Sequence, residues 1–189
     1  MADAWEPLSP LDGRYRRLTE DIARDFSEAR LHELRVRAEV SYLSALVERL
    51  AVEGLEAPLD EGERRSLAGL LRLKASDVEE IRRIEGRTSH DVAAVVEFLR
   101  SRVPPRLRRY VHLGLTSEDV NNLAYSALLE VLVKDHFAKE IANVALKLSR
   151  ISVREACSVI LGRTHGQPAV PTTLGRELGV HALRLARLA

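Results

Sequence analysis

Apolar residues recur along this chain with the period of a helix, not of a strand. Between Phe26 and Val52, the residues Leu43, Leu46, Val47 and Leu50 follow the i, i+3, i+4, i+7 spacing that gathers them on one face, and Gly54 supplies a stop. Asp60 and Glu63 have the spacing of a capping box and open a second helix through about Leu73. Ser76 and Glu79 have the same spacing and open a third, carrying Val78, Ile81 and Ile84 as far as Gly86. A polar loop, Arg87 to Asp91, leads into a fourth helix. Val92, Val95, Val96, Leu99 and Val103 form its stripe, and the Pro104-Pro105 pair ends it.

Thr116-Ser117-Glu118-Asp119 is a strong N-terminal cap signal, and no Pro or Gly follows until Gly162. Val120, Leu123, Ala127, Val131, Ala138, Ile141, Ala145 and Leu148 keep helical spacing. This predicts one helix to Leu161, roughly 60 Å long at 1.5 Å per residue. A compact globule of this chain length is only about 42 Å across, so such a helix requires packing partners outside this sequence. Gly162 is expected to end it. A loop through Thr173 then precedes a last helix with Leu174, Leu178, His181, Leu185 and Leu188, inside which the chain stops.

Composition narrows the class. Of 189 residues, 46% are hydrophobic but only 4% aromatic, which favours helices over a sandwich or barrel. Long uncharged apolar runs and glycine periods are absent, which excludes membrane-spanning and collagen-like classes. The net charge of +1 provides no footprint for nucleic acid. The 29 basic residues include only four lysines, Lys74, Lys134, Lys139 and Lys147; the rest are arginine. The single cysteine, Cys157, excludes a disulfide framework and a CxxC metal site. Met1 to Pro10 has no secretory pattern, so a cytoplasmic protein is the simplest reading. No HExxH, DxD, P-loop or GxGxxG string occurs, so no metal or nucleotide cofactor is expected.

Four polar segments stand out against this background. In Ser9-Pro10-Leu11-Asp12-Gly13-Arg14-Tyr15, Arg14 offers a forked donor and Tyr15 a hydroxyl that together can grip a phosphate, or the segment is a surface turn. Thr88-Ser89-His90-Asp91 sits at a helix start, where free N–H groups suit an anion, or where Ser89 is an ordinary cap. Thr116 and Ser117 open the longest helix and can hold carboxylates. Asn121 and Asn122 follow them, and as poor helix formers they need a reason beyond capping. In Gly162 to Thr173, His165 lies between two glycines and has little to do with packing, so it is a candidate general acid or base. His32, His112, His136 and His181 lie on or near helices without such neighbours and read as structural or surface residues.

Taken together, these segments resemble the adenylosuccinate lyase family of the fumarase/aspartase superfamily. The resemblance is carried by residues 9–15, 88–91, 116–122 and 162–173, in family order and at family-like separation. It implies an all-α fold: a small N-terminal helical domain over 1–112, then the incomplete start of a long-helix central bundle over 113–189. It implies elimination of fumarate from adenylosuccinate to give AMP, and the same reaction on the succinylated carboxamide intermediate of purine synthesis. His165 matches the general acid and His90 the second active-site histidine. Arg14 and Tyr15 match the phosphate grip, Ser89 and Asp91 the positions beside His90, and Thr116 and Ser117 the residues holding the succinyl carboxylates. Thr164 flanks the acid. The implied assembly is a homotetramer with sites shared between subunits, with a small-molecule substrate and no cofactor, nucleic acid or membrane.

One part of the family pattern is missing. The family's general base is a serine on a mobile loop followed by a Met-Pro-x-Lys-x-Asn signature, and this sequence contains none. The chain therefore reads as the N-terminal portion of a longer lyase, inactive alone. The competing readings are a non-catalytic helical interaction module and another fumarate-releasing lyase.

Overall fold

The structure is a computed structural model and describes residues 9–188. The Met1–Leu8 part of the N-terminal stretch read as leaderless lies outside them. The chain divides into two compact units, Met1–Glu130 and Val131–Ala189.

In the first unit, a 3-10 turn at Arg16–Leu18 precedes α1 (Glu20–Asp25), α2 (Glu28–Val52), α3 (Glu61–Leu70), α4 (Ala75–Thr88), α5 (Asp91–Arg102), a second 3-10 turn at Pro105–Tyr110, and α6 (Ser117–Val131), which runs to the unit's edge. The core is aliphatic, as the periodicity predicts. Val36, Val40, Leu43 and Val47 of α2 pack with Leu67 of α3, Ile81 and Ile84 of α4, and Val92, Val95 and Leu99 of α5. Phe98 is also fully buried, so α5 meets the core on more than its predicted stripe.

The capping box at Asp60 forms as expected: Asp60 Oδ1 accepts from the Glu63 amide at 2.8 Å, and Glu63 Oε2 accepts from the Asp60 amide at 3.0 Å. The α4 boundaries differ from the expectation. The helix starts one residue before Ser76, its entry held by the Lys74 amide donating to Asp77 Oδ2 at 2.9 Å, and it runs through Gly86 to Thr88. Ser89 ends it in the left-handed region at φ 52°. Gly86 has open space around it and no left-handed geometry to supply, so nothing makes it a stop.

A buried polar thread runs through α2. His32 is 1% exposed and, among the described residues, neither of its ring nitrogens has a hydrogen-bond partner. Burial, reinforced by the nearby Arg35 guanidinium, pushes its pKa below 6.5. The folded state therefore resists a proton that the unfolded chain accepts, so stability present above pH 6.5 is lost as pH falls through the depressed value. The urea midpoint of the parent is expected to drop over that interval more than that of His32→Leu. Parallel pH profiles for the two would remove His32 as the cause.

The second unit begins with a π-helical stretch at Leu132–Phe137, then α7 (Ala138–Arg154), β1 (Val159–Thr164), β2 (Gln167–Thr173) and α8 (Leu174–Ala186). The single uniform helix expected to Leu161 is thus not formed: its hydrogen-bond pattern widens at Leu132–Phe137, and it ends at Arg154. Glu155 is its C-cap, and the Glu155 carboxylate accepts from the Ser158 hydroxyl at 2.7 Å and from Arg154 Nε at 2.8 Å. The segment expected as a loop is an antiparallel hairpin, with Val159 opposite Thr173 and Thr164 opposite Gln167. Val159-Ile160-Leu161 has the branched character that suits a strand, and apolar count alone does not separate that from a helix end. Gly162 belongs to the hairpin irregularity, where an added Cβ would sit 2.4 Å from Val170 O. The last helix starts at Leu174 as expected, and Thr173 caps it by accepting from the Arg176 amide at 3.1 Å.

Candidate active site

Two helix starts, those of α5 and α6, and one side of α2 converge in the first unit. The two-residue break between α4 and α5 is tight because Ser89 turns the chain left-handed. His90 then takes the N-cap of α5, its Nδ1 accepting from the Ala93 amide at 3.3 Å. The sequence pointed to Ser89 as the capping residue; the cap is His90 itself. Both oxygens of Asp91 are occupied. Oδ1 accepts from the Val92 amide at 2.8 Å, and Oδ2 pairs with Arg35 Nη2.

Arg35 is the hub of this arrangement. Its side chain is 4% exposed, and its Nε donates to Asn121 Oδ1 at 2.9 Å. One guanidinium therefore ties α2 to the first turns of α5 and α6. This is the reason beyond capping that Asn121 required, since its amide serves Arg35. The start of α6 is held by Thr116 and Asp119. The Thr116 amide and hydroxyl donate to Asp119 Oδ2 at 2.7 and 2.8 Å, which holds the Asp119 carboxyl below its ordinary range.

A cavity of about 340 Å³ opens beside these turns. Thr88, His90 and Ser117 line it together with Ala93, Val96, Glu97 and Arg100 of α5. His112 completes the wall. From sequence alone it reads as a structural or surface residue. Its backbone is left-handed at φ 64°, and its Nδ1 lies 2.6 Å from Oε1 of Glu39, a carboxylate 1% exposed. The His112 loop is also anchored by the Tyr42 hydroxyl, which donates to Leu113 O at 2.9 Å. No motif singles out Arg35, Glu39 or His112 in the sequence. The available signal was His32, Arg35 and Glu39 at i, i+3 and i+7, a polar row within an otherwise apolar face of α2.

The other candidates lie elsewhere in the chain. Arg14 and Tyr15 are exposed in the N-terminal turn, with the guanidinium 5.6 Å from the tyrosine ring centre. Thr164 and His165 belong to the second unit. His165 and Gly166 are the two central residues of the hairpin turn, at φ 51° and 74°, so the imidazole stands exposed at the hairpin tip. Among the described residues no group of His, Cys, Asp and Glu could hold a metal ion, and no helix is long and apolar enough to cross a membrane.

Comparison with known proteins agrees with this architecture. A family model described as lyase matches residues 13–188. The adenylosuccinate lyase of Legionella pneumophila (strain Corby) is 33% identical over 190 residues, covering 97% of this chain and 41% of that protein. The adenylosuccinate lyase of Dictyostelium discoideum is 34% identical, covering 94% of this chain and 40% of its own length. This chain thus spans about two-fifths of the length of the curated relatives it matches. Among solved structures, a fumarate lyase from Mesorhizobium sp. BNC1 superposes with a TM-score of 0.66 at 23% identity, over 89% of this chain and 39% of that one, which establishes a shared fold. With the family model running through both units, and the all-α architecture common to its structural neighbours, this chain belongs to the lyase family.

Proposed function

We propose that this chain supplies the N-terminal part of an adenylosuccinate lyase, the enzyme of purine biosynthesis that releases fumarate from adenylosuccinate to leave AMP, and from the succinylated carboxamide ribotide. The observation that carries this reading is the match to adenylosuccinate lyases over 97% of the chain. In the reaction a proton leaves the carbon beside a carboxylate, the C–N bond breaks, and the departing nitrogen takes a proton. His165 is the general acid for that nitrogen, flanked by Thr164. His90 contacts substrate and supports the transfer, with Ser89 and Asp91 beside it. Thr116 and Ser117 hold the succinyl carboxylates, and Arg14 and Tyr15 the phosphate. Ser117 and His90 lining one cavity supports this division of labour.

The domain division follows the same reading: an N-terminal domain to residue 112 and the first part of the central bundle from 113. The enzyme is a cytoplasmic homotetramer with shared sites. Exposed Leu123 and Leu129 on α6, and exposed Val144, Leu146 and Val153 on α7, are apolar surface of the kind a subunit interface covers. The only methionine is Met1, so the Met-Pro-x-Lys-x-Asn signature of the base loop is not in this sequence, and the 189-residue chain is inactive alone.

The test is fumarate release. The chain alone is expected to produce none from adenylosuccinate. A chimera joining it to the remaining length of the Legionella enzyme is expected to release fumarate, and His165→Gln to slow that release by about 10²- to 10⁴-fold. A folded, tetrameric chimera that leaves adenylosuccinate intact overturns the reading.

A further inference from the structure

The cavity wall carries two imidazoles, and each has its Nδ1 engaged in the opposite sense. At His90, the amide of Ala93 points its hydrogen at Nδ1 over 3.3 Å. That contact requires a lone pair on Nδ1, so the proton of the neutral ring must sit on Nε2. Asp91 Oδ1 lies 3.4 Å from this nitrogen, and it already accepts from the Val92 amide at 2.8 Å. At His112, Nδ1 faces Glu39 Oε1 at 2.6 Å. Glu39 is buried and, among the described residues, its Oε2 has no hydrogen-bond partner, so the Nδ1 proton is the donor left to this carboxylate. Withdrawing it would leave a buried anion with no compensation, which costs far more than a tautomer preference. Among the described residues, Nε2 of His112 has no protein partner, and it is the ring nitrogen left for the cavity.

We propose that Glu39 is a positioning residue, and that Glu39 and the first turn of α5 lock His112 and His90 in opposite tautomers. The cavity then presents an imidazole N–H donor at His90 and a bare imidazole nitrogen at His112. Such a wall selects a ligand that pairs an anionic oxygen, received by His90, with a hydroxyl or N–H donor, received by His112. The identity of that ligand rests on the lyase reading; the tautomers do not.

The test is long-range 1H–15N correlation of the imidazoles in the chain labelled with 15N-histidine. It is run at a pH well above the ordinary imidazole range, with His90→Asn and His112→Asn assigning the signals. His112 is expected to show a protonated Nδ1 and a bare Nε2, and His90 the reverse. Glu39→Leu, which removes the acceptor, with native circular dichroism as the control for folding, is expected to release His112 into a mixture of tautomers while His90 stays unchanged. The proposal is overturned if His112 of the parent chain carries its proton on Nε2, which would mean that Glu39 itself holds a proton, or if both histidines share one tautomer. A folded Glu39→Leu chain with an unaltered His112 pattern also overturns it. The parent spectrum decides the question even if Glu39→Leu does not fold. No substrate enters this measurement, so its failure leaves the lyase reading standing, and absent fumarate release leaves the tautomers standing.

Discussion

Arg35→Met is expected to lower the stability of the first unit by about 3 kcal/mol, read as a fall in the urea midpoint. The wild-type guanidinium is 4% exposed and serves Asp91 and Asn121 together. Methionine fills a similar volume but leaves Asn121 Oδ1 without its donor in a residue 7% exposed, and Asp91 Oδ2 without its cation. Asp91 is 36% exposed, so water recovers part of that loss, which places the cost at the lower end for a broken buried pair. The double variant Arg35→Met/Asn121→Leu should lose less than the two single costs added together, because it removes the orphaned acceptor along with the donor. A midpoint for Arg35→Met within error of the parent would show that the thread from α2 to α5 and α6 carries no stability.

A change of similar size is expected in the second unit from a single methyl group. A Cβ on Gly175 would lie 2.4 Å from Ser152 O and 2.7 and 2.8 Å from Ala156 Cα and N, all of them backbone atoms. None of these can rotate away as a side-chain tip can. Gly175→Ala must therefore push α8 off α7, breaking the 2.6 Å bond from the Ser152 hydroxyl to Gly175 O and the 3.0 Å bond from the Gly175 amide to Glu155 O. The expected loss is about 3 kcal/mol, at the upper end for overpacking. Gly179→Ala is the milder control. Its Cβ meets only the Ser152 side chain, at 2.8 Å from Oγ, and a hydroxyl can turn. Thermal melts followed by circular dichroism should rank the parent above Gly179→Ala, and Gly179→Ala above Gly175→Ala. Gly175→Ala melting with the parent would show that α7 and α8 separate without cost.

Helix existence was legible in the sequence because burial and period coincide. Val92, Val95, Val96 and Leu99 are one stripe in the sequence and one wall of the core in the fold. Caps were legible where a short polar side chain closes on its own helix, as at Asp60 and Thr116. The α4 entry was misread because Ser76 and Glu79 have the right spacing, while the preceding Lys74–Asp77 contact closes first. The hairpin was misread because a branched apolar run followed by a glycine fits a helix end as well as a strand. Only the pairing of Val159 to Thr164 with Gln167 to Thr173 separates the two.

The candidate site divides the same way. Residue type and local spacing were sufficient to single out His90, Thr116, Ser117 and His165, because each sits at a helix start or turn whose signal is local. The sequence by itself also determined the helical class, the aliphatic core and the polar segments that carry the family resemblance. Tertiary structure alone decided that Arg35 would reach both Asp91 and Asn121, that Glu39 would meet His112 from 73 positions away, and that His112 would share a cavity with His90. The physical reason is that a buried charge is tolerated only where a partner of opposite character arrives through space. Nothing in the chain near Arg35 or Glu39 announces which partner that will be.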